Sequence, residues 1–125
     1  MQIEEWAANV LANAAADLLA GGSVSVFTAD GALLASCAFA DPPFKAARKG
    51  AAAAHEFPAA IAEDDGIPAR FVALDAAGTE VLSGSAGYRD DQPPPEIKFK
   101  TRIIVKDADV LVESFVFSVV TKQKP

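Results

Sequence analysis

His55 is the only imidazole in the chain, and general-base chemistry would need it within reach of a nucleophile and an orienting carboxylate. Glu56 adjoins it, but neighbours on a strand point to opposite faces, so the pair reads as a strand-edge histidine beside a solvated acid. Cys37 sits between Ser36 and Ala38 in an apolar run with no cation beside it, the setting of a small buried hydrophobe rather than a reactive thiol. As the single cysteine it allows no internal disulfide, and one His with one Cys offers no zinc-ligand spacing. Glu63-Asp64-Asp65-Gly66 and Asp90-Asp91 carry the oxygen donors calcium takes, without the spacing of an EF-hand, and read as solvated acidic loops. Ser83-Gly84-Ser85-Ala86-Gly87 has the glycines of a phosphate loop, but no Gly-Lys-Ser/Thr follows. The residues therefore assign no catalytic group, no cofactor and no metal ligand, and the expectation is a protein that binds or builds and is not an enzyme.

The side chains left for recognition are Trp6, Val10 and Leu11 in the N-terminal segment and Tyr88 and Arg89 further on. Trp6 lies on an apolar helix face, where the core is the commoner destination, although a terminal helix can also dock its apolar face on another subunit. Tyr88 beside Arg89-Asp90-Asp91 is the one grouping suited to a carbohydrate- or receptor-binding surface. These five residues are the expected interface.

The elements that position them follow from periodicity. Between Ile3 and Leu19 the residues Ile3, Trp6, Ala7, Val10, Leu11, Ala14 and Leu18 recur at helical steps. Glu4 and Glu5 suit the positive end of the helix dipole, and Gly21-Gly22 stops the helix. Ser23 to Thr28 and Leu33 to Phe39 then read as a hairpin about Asp30-Gly31, closed by Asp41-Pro42-Pro43. Ala46 to Ala54 has helical propensity, yet Lys49-Gly50 favours a turn and a short strand through His55 and Phe57. Strands are expected at Ala69–Leu74 and Glu80–Leu82, about a turn at Ala76-Ala77-Gly78. Ser83 to Pro95, with its glycines and three prolines, reads as a long loop. Ile97 and Phe99, Ile103 to Val105 and a long strand Val110 to Val120 complete the chain, and the Phe115 and Phe117 face of that strand is the expected core side.

Length and composition bound the rest. With 125 residues, 51% hydrophobic and 22% charged, the chain suits one hydrophobic core. Its net charge of -6 and pI near 4.6 repel phosphate backbones, and only Lys45-Ala-Ala-Arg48-Lys49 interrupts the acidic balance, so nucleic acid is not an expected partner. No apolar run reaches the ~18–20 residues of a membrane span, and Glu4 and Glu5 stand where a signal peptide would be basic. The expected architecture is mainly β: one helix over residues 1–22, then an antiparallel sandwich or jelly-roll-like domain over residues 23–125, as a single structural unit.

The order of these features resembles a family of small structural proteins of tailed bacteriophages and prophages. The stretches that carry the resemblance run Ala12 to Gly22, Leu33 to Phe44, Ala69 to Phe71 with Leu74 to Gly87, and Glu96 to Phe99 with Ile103 to Val105 and Val110 to Phe117. The chain departs from the pattern at Lys106-Asp107-Ala108-Asp109, where a glycine is common, and at Pro93-Pro94-Pro95. The resemblance implies a virion component assembled in the bacterial cytoplasm, foremost a capsid decoration or cement protein. Its implied partners are the major capsid protein and copies of itself, as a dimer or higher oligomer. A tail- or fibre-associated role is the alternative implied by the same resemblance.

Overall fold

The computed structural model describes residues 2–119. Helix α1 spans Glu5–Leu18, within the segment that periodicity outlines. Glu4 precedes it in extended conformation, and Glu5 lies in the first turn. The helix ends where Leu19 N–H bonds Ala16 O and Gly22 N–H bonds Leu19 O, with Gly21 at φ +77° reversing the chain. Gly22 is required by contact: a Cβ there would lie 1.9 Å from the carbonyl oxygen of Leu74.

Among the described residues seven strands follow: β1 Ser23–Phe27, β2 Leu33–Ala38, β3 Ala51–Ala53, β4 Arg70–Leu74, β5 Glu80–Tyr88, β6 Ile97–Phe99 and β7 Val112–Ser118. They form one sheet in the order β2-β1-β4-β5-β6-β7-β3. The β1–β2 hairpin matches expectation, with Gly31 at φ +94° and Thr28 donating to Asp30 while its Oγ1 accepts from Ala32 N–H. The protein is mainly β with one N-terminal helix, as expected. The sheet is mixed, because β5 and β6 pair in parallel through Ala86 and Ile97, where the sequence predicts an antiparallel arrangement.

Other elements differ from the reading of the sequence. β5 runs through Ser83 to Tyr88, so the first part of the expected loop is strand. Its small side chains are needed there, since a Cβ on Gly84 would strike the Glu96 carboxylate and the Phe71 ring. β3 stops at Ala53, short of His55 and Phe57. Ile103–Val105 contributes a single bridge, Gly66 to Ile104, in place of a strand. The expected strand end at Val120 lies outside the described residues.

The two ends of the sheet, β2 and β3, are brought together by the segment between them. Phe39, just after β2, lies 6.3 Å from Phe115 of β7, and Phe44 meets Phe115 and Phe117 edge-on at 5.5 and 5.2 Å. Phe71 of β4 reaches the same Phe115 at 4.9 Å. The sheet is thus rolled around a phenylalanine core, with offset and edge-on rings as aromatic quadrupoles favour. Its edges are covered in part by the chain itself. Lys45 N–H bonds Ala53 O and Arg48 pairs with Ala51 beside β3, while Glu63 N–H bonds Leu34 O beside β2.

Candidate association surfaces

α1 packs on its own β domain with the face opposite to its large apolar side chains. Ala8, Ala12 and Ala16 are buried, a stripe at four-residue steps that lies one above the other on a helix. Ala12, Ala16 and Leu19 join the core formed with Phe44, Ala52 and Phe117. Two asparagines on the adjacent row fix the helix to the chain before β3. Asn9 Oδ1 accepts from Gly50 N–H at 2.7 Å and Asn13 Oδ1 accepts from Ala47 N–H at 2.9 Å.

Trp6, Val10, Leu11 and Leu18 consequently point away from the protein, at 72%, 59%, 50% and 60% exposure. The core reading of Trp6 is corrected here. The physical reason is volume: phenylalanine rings already fill the space beneath α1, and only a methyl-sized side chain fits between helix and sheet. Large side chains of this kind offer about 100–250 Å² each when fully exposed, so the stripe presents on the order of 400 Å² of apolar surface. Exposed patches of that size on a monomer commonly carry function.

A second outward surface comes from two loops. The reciprocal bonds of Gly66 and Ile104, at 2.9 and 2.8 Å, set Ile67 opposite Ile103 and turn Ile104 inward. Ile67, Ile103 and Val105 remain exposed. Asp65 holds this ladder by accepting from Lys106 N–H at 2.7 Å, so the acidic cluster works as a set of backbone caps. Among the described residues no group of three His, Cys, Asp or Glu is placed to hold a metal ion.

A groove lies on the outer side of β3 and β7. One part, about 540 Å³, is floored by Ala51, Ala53 and Val116 and rimmed by Lys45 and Arg48. It adjoins a cleft of about 360 Å³ that shares Lys45, Ala53 and Val116 and extends past His55, Glu56 and Glu113 to Lys100. In the sequence the Lys45 to Lys49 run stands out only as the one interruption of an acidic chain. The apolar floor depends on the pairing of Ala53 with Val116, which joins residues distant in sequence.

Tyr88 and Arg89 stand apart from the helix stripe, in a hydrogen-bonded network of their own. Tyr88 is half-buried, with the Arg102 guanidinium 4.4 Å from its ring centre. Its N–H donates to Asp91 at 2.8 Å, and Arg102 and Arg89 pair with Asp91 and Glu113 at 3.8 and 3.7 Å. Interaction with Tyr88, and then with Glu113, holds the Arg89 guanidinium above its ordinary pKa. The aromatic platform expected at Tyr88 is thus covered by arginine on one face. Cys37, beside Val24 in the β1–β2 register, is buried, and desolvation pushes its thiol up to about 11.

These features define the class: a mainly β protein, helix-capped, with outward apolar surfaces. No helix among the described residues is long and apolar enough to cross a membrane. No family model matches the chain, and no curated protein or solved structure matches it significantly.

Proposed function

We propose that the protein is a structural component of a tailed-bacteriophage virion, a decoration or cement protein that sits on the capsid and ties neighbouring coat subunits together. The observation that carries this reading is the outward apolar stripe of α1. A helix that folds on alanine and leaves tryptophan, valine and leucine in water is built to be covered by another protein. The loop ladder of Ile67, Ile103 and Val105 supplies a second contact surface, as a protein that bridges neighbours needs. Stable contacts usually bury ~1,200–2,000 Å² in total, and repeated symmetric contacts gain from effective concentration even when each is weak. The finer architecture belongs to the same proposal: Phe39 and Phe71 each meet Phe115 across the roll, an arrangement that suits the two layers of a jelly-roll-like sandwich.

The test is the copy number of the protein in purified particles, measured by quantitative mass spectrometry against the coat protein. The expected result is a simple integral ratio to coat. A few copies per particle would move the protein to the tail or a vertex, and absence would overturn the virion reading.

A further inference from the structure

The loop that carries Ile103 and Val105 is tied to the rest of the chain on either side of its middle. Lys100 N–H bonds Leu111 O at 2.9 Å, and Ile104 exchanges both of its backbone bonds with Gly66. Among the described residues, 101–103 make no backbone–backbone hydrogen bond, and the Thr101 hydroxyl donates within the loop, to Ile103 O at 3.1 Å. Arg102 is the residue of this stretch with a ring contact or ion pair to the body. Its guanidinium lies 4.4 Å from the centre of the Tyr88 ring and 3.8 Å from the Asp91 carboxylate.

The seat that receives Arg102 is built independently of the loop. Asp91 N–H bonds Tyr88 O at 2.9 Å, and Asp91 Oδ2 accepts from Tyr88 N–H at 2.8 Å, which closes a turn over residues 88–91. Space for that carboxylate exists because residue 87 is glycine, where a Cβ would lie 2.6 Å from Asp91 Oδ2. Arg89 stands 5.8 Å from the same ring and pairs with Glu113 of β7. Each guanidinium beside Tyr88 thus has its own carboxylate.

We propose that Arg102 is the positioning residue of the Ile67–Ile103–Val105 surface: docked on Tyr88 and Asp91, it straps down the middle of the loop and holds Ile103 opposite Ile67. Ordering the loop costs conformational entropy, and apolar side chains that point into water return nothing against it. A planar guanidinium laid on a ring, with a carboxylate beside it, offsets that cost. Tyr88 and Asp91 then act beneath the contact surface rather than at it. The strap deepens the proposed role and rests on it only for the partner, because its hold on the loop is a property of the isolated chain.

The test is native-state amide hydrogen exchange of the full chain and of Arg102→Ala, Tyr88→Leu and Tyr88→Phe. Lifting the loop breaks the reciprocal bonds of Ile104 and Gly66, so these two amides report it. In Arg102→Ala they should exchange about two- to fivefold faster, as loss of an exposed cation–π contact implies, while amides of β1 and β4 keep their rates. Tyr88→Leu should have the same effect, and Tyr88→Phe, which keeps the ring face, should match the unaltered chain. Unchanged exchange at Ile104 in Arg102→Ala overturns the proposal. So does an equal rise in β1 and β4, which would mean general destabilisation, or a Tyr88→Phe variant as fast as Tyr88→Leu. Should Tyr88→Leu unfold early, Asp91→Asn takes its place: it keeps an acceptor for Tyr88 N–H, removes the charge beside Arg102, and should speed the same two amides, with no change counting against the strap. Copy number in particles reads the virion role separately, so either can fail alone.

Discussion

The rolled sheet and the helix use hydrophobic side chains in opposite ways. The sheet places three phenylalanines, Phe71, Phe99 and Phe115, wholly inside. α1 places alanines inside and leaves Trp6, Val10, Leu11 and Leu18 outside. In the first region hydrophobicity drives folding, and in the second it remains available for association. The difference is testable, because truncating a large side chain should be costly in one region and nearly free in the other.

The largest effect is expected at Phe115, whose ring meets Phe39, Phe44, Phe71 and Phe117. Phe115→Ala should destabilise the chain by about 3–5 kcal/mol, as removal of a buried ring and the resulting cavity do. Denaturant titration reads this directly, and a loss below ~1 kcal/mol would mean that the roll is not held by this cluster. Next comes the reverse substitution in the helix. Ala12 is fully buried, so Ala12→Leu should cost about 1–3 kcal/mol through overpacking, even though leucine is a good helix former. A neutral or stabilising result would show that α1 stands off the sheet.

Cys37 provides a pH marker for the sheet side. Its thiol is raised from 9.0 to about 11 by burial, so the folded state holds a proton that the unfolded state releases first. Stability from this group is complete below pH 9 and declines as pH rises toward 11. Thiol reagents at about pH 8, below both values, should therefore leave Cys37 unmodified until the chain unfolds, and Phe115→Ala should speed the reaction. Fast modification of the intact protein would place Cys37 nearer to solvent than the roll allows.

Much of the sheet was legible because strand alternation and turn residues are local signals. The hairpin at Asp30-Gly31, the strand ending at Leu74 and the inward phenylalanines of β7 follow from them. β5 was not legible beyond Leu82, since Ser83 to Gly87 has the composition of a loop. What makes it a strand is its place between β4 and β6, where the Phe71 ring and Glu96 leave no room for a side chain at Gly84. The parallel β5–β6 pair was hidden for a related reason, as residues 89–96 make the return without the crossover helix that usually announces one. For α1, periodicity found the stripe but could not give its direction. Direction depends on which stripe fits against Phe44 and Phe117, and that is a property of the assembled core. The groove was hidden for the same reason, because its floor joins Ala53 to Val116.

The smallest stability effect sharpens the comparison most. Trp6 is the largest side chain of α1 and the most exposed of its apolar residues, so Trp6→Ala should change the free energy of unfolding by no more than about 0.5 kcal/mol, as exposed substitutions do. Alanine also has the higher helix propensity, which offsets the weak dispersion attraction between the indole and the helix surface. The same substitution should still weaken association, because the indole forms the largest part of the outward apolar surface and truncation of a central aromatic anchor commonly removes about 2 kcal/mol or more, roughly thirtyfold, of binding. A variant that keeps its unfolding midpoint and loses association separates the two uses of hydrophobicity within one residue. If instead Trp6→Ala lowers stability as Phe115→Ala does, the stripe is part of the fold, and the contrast between helix and sheet fails.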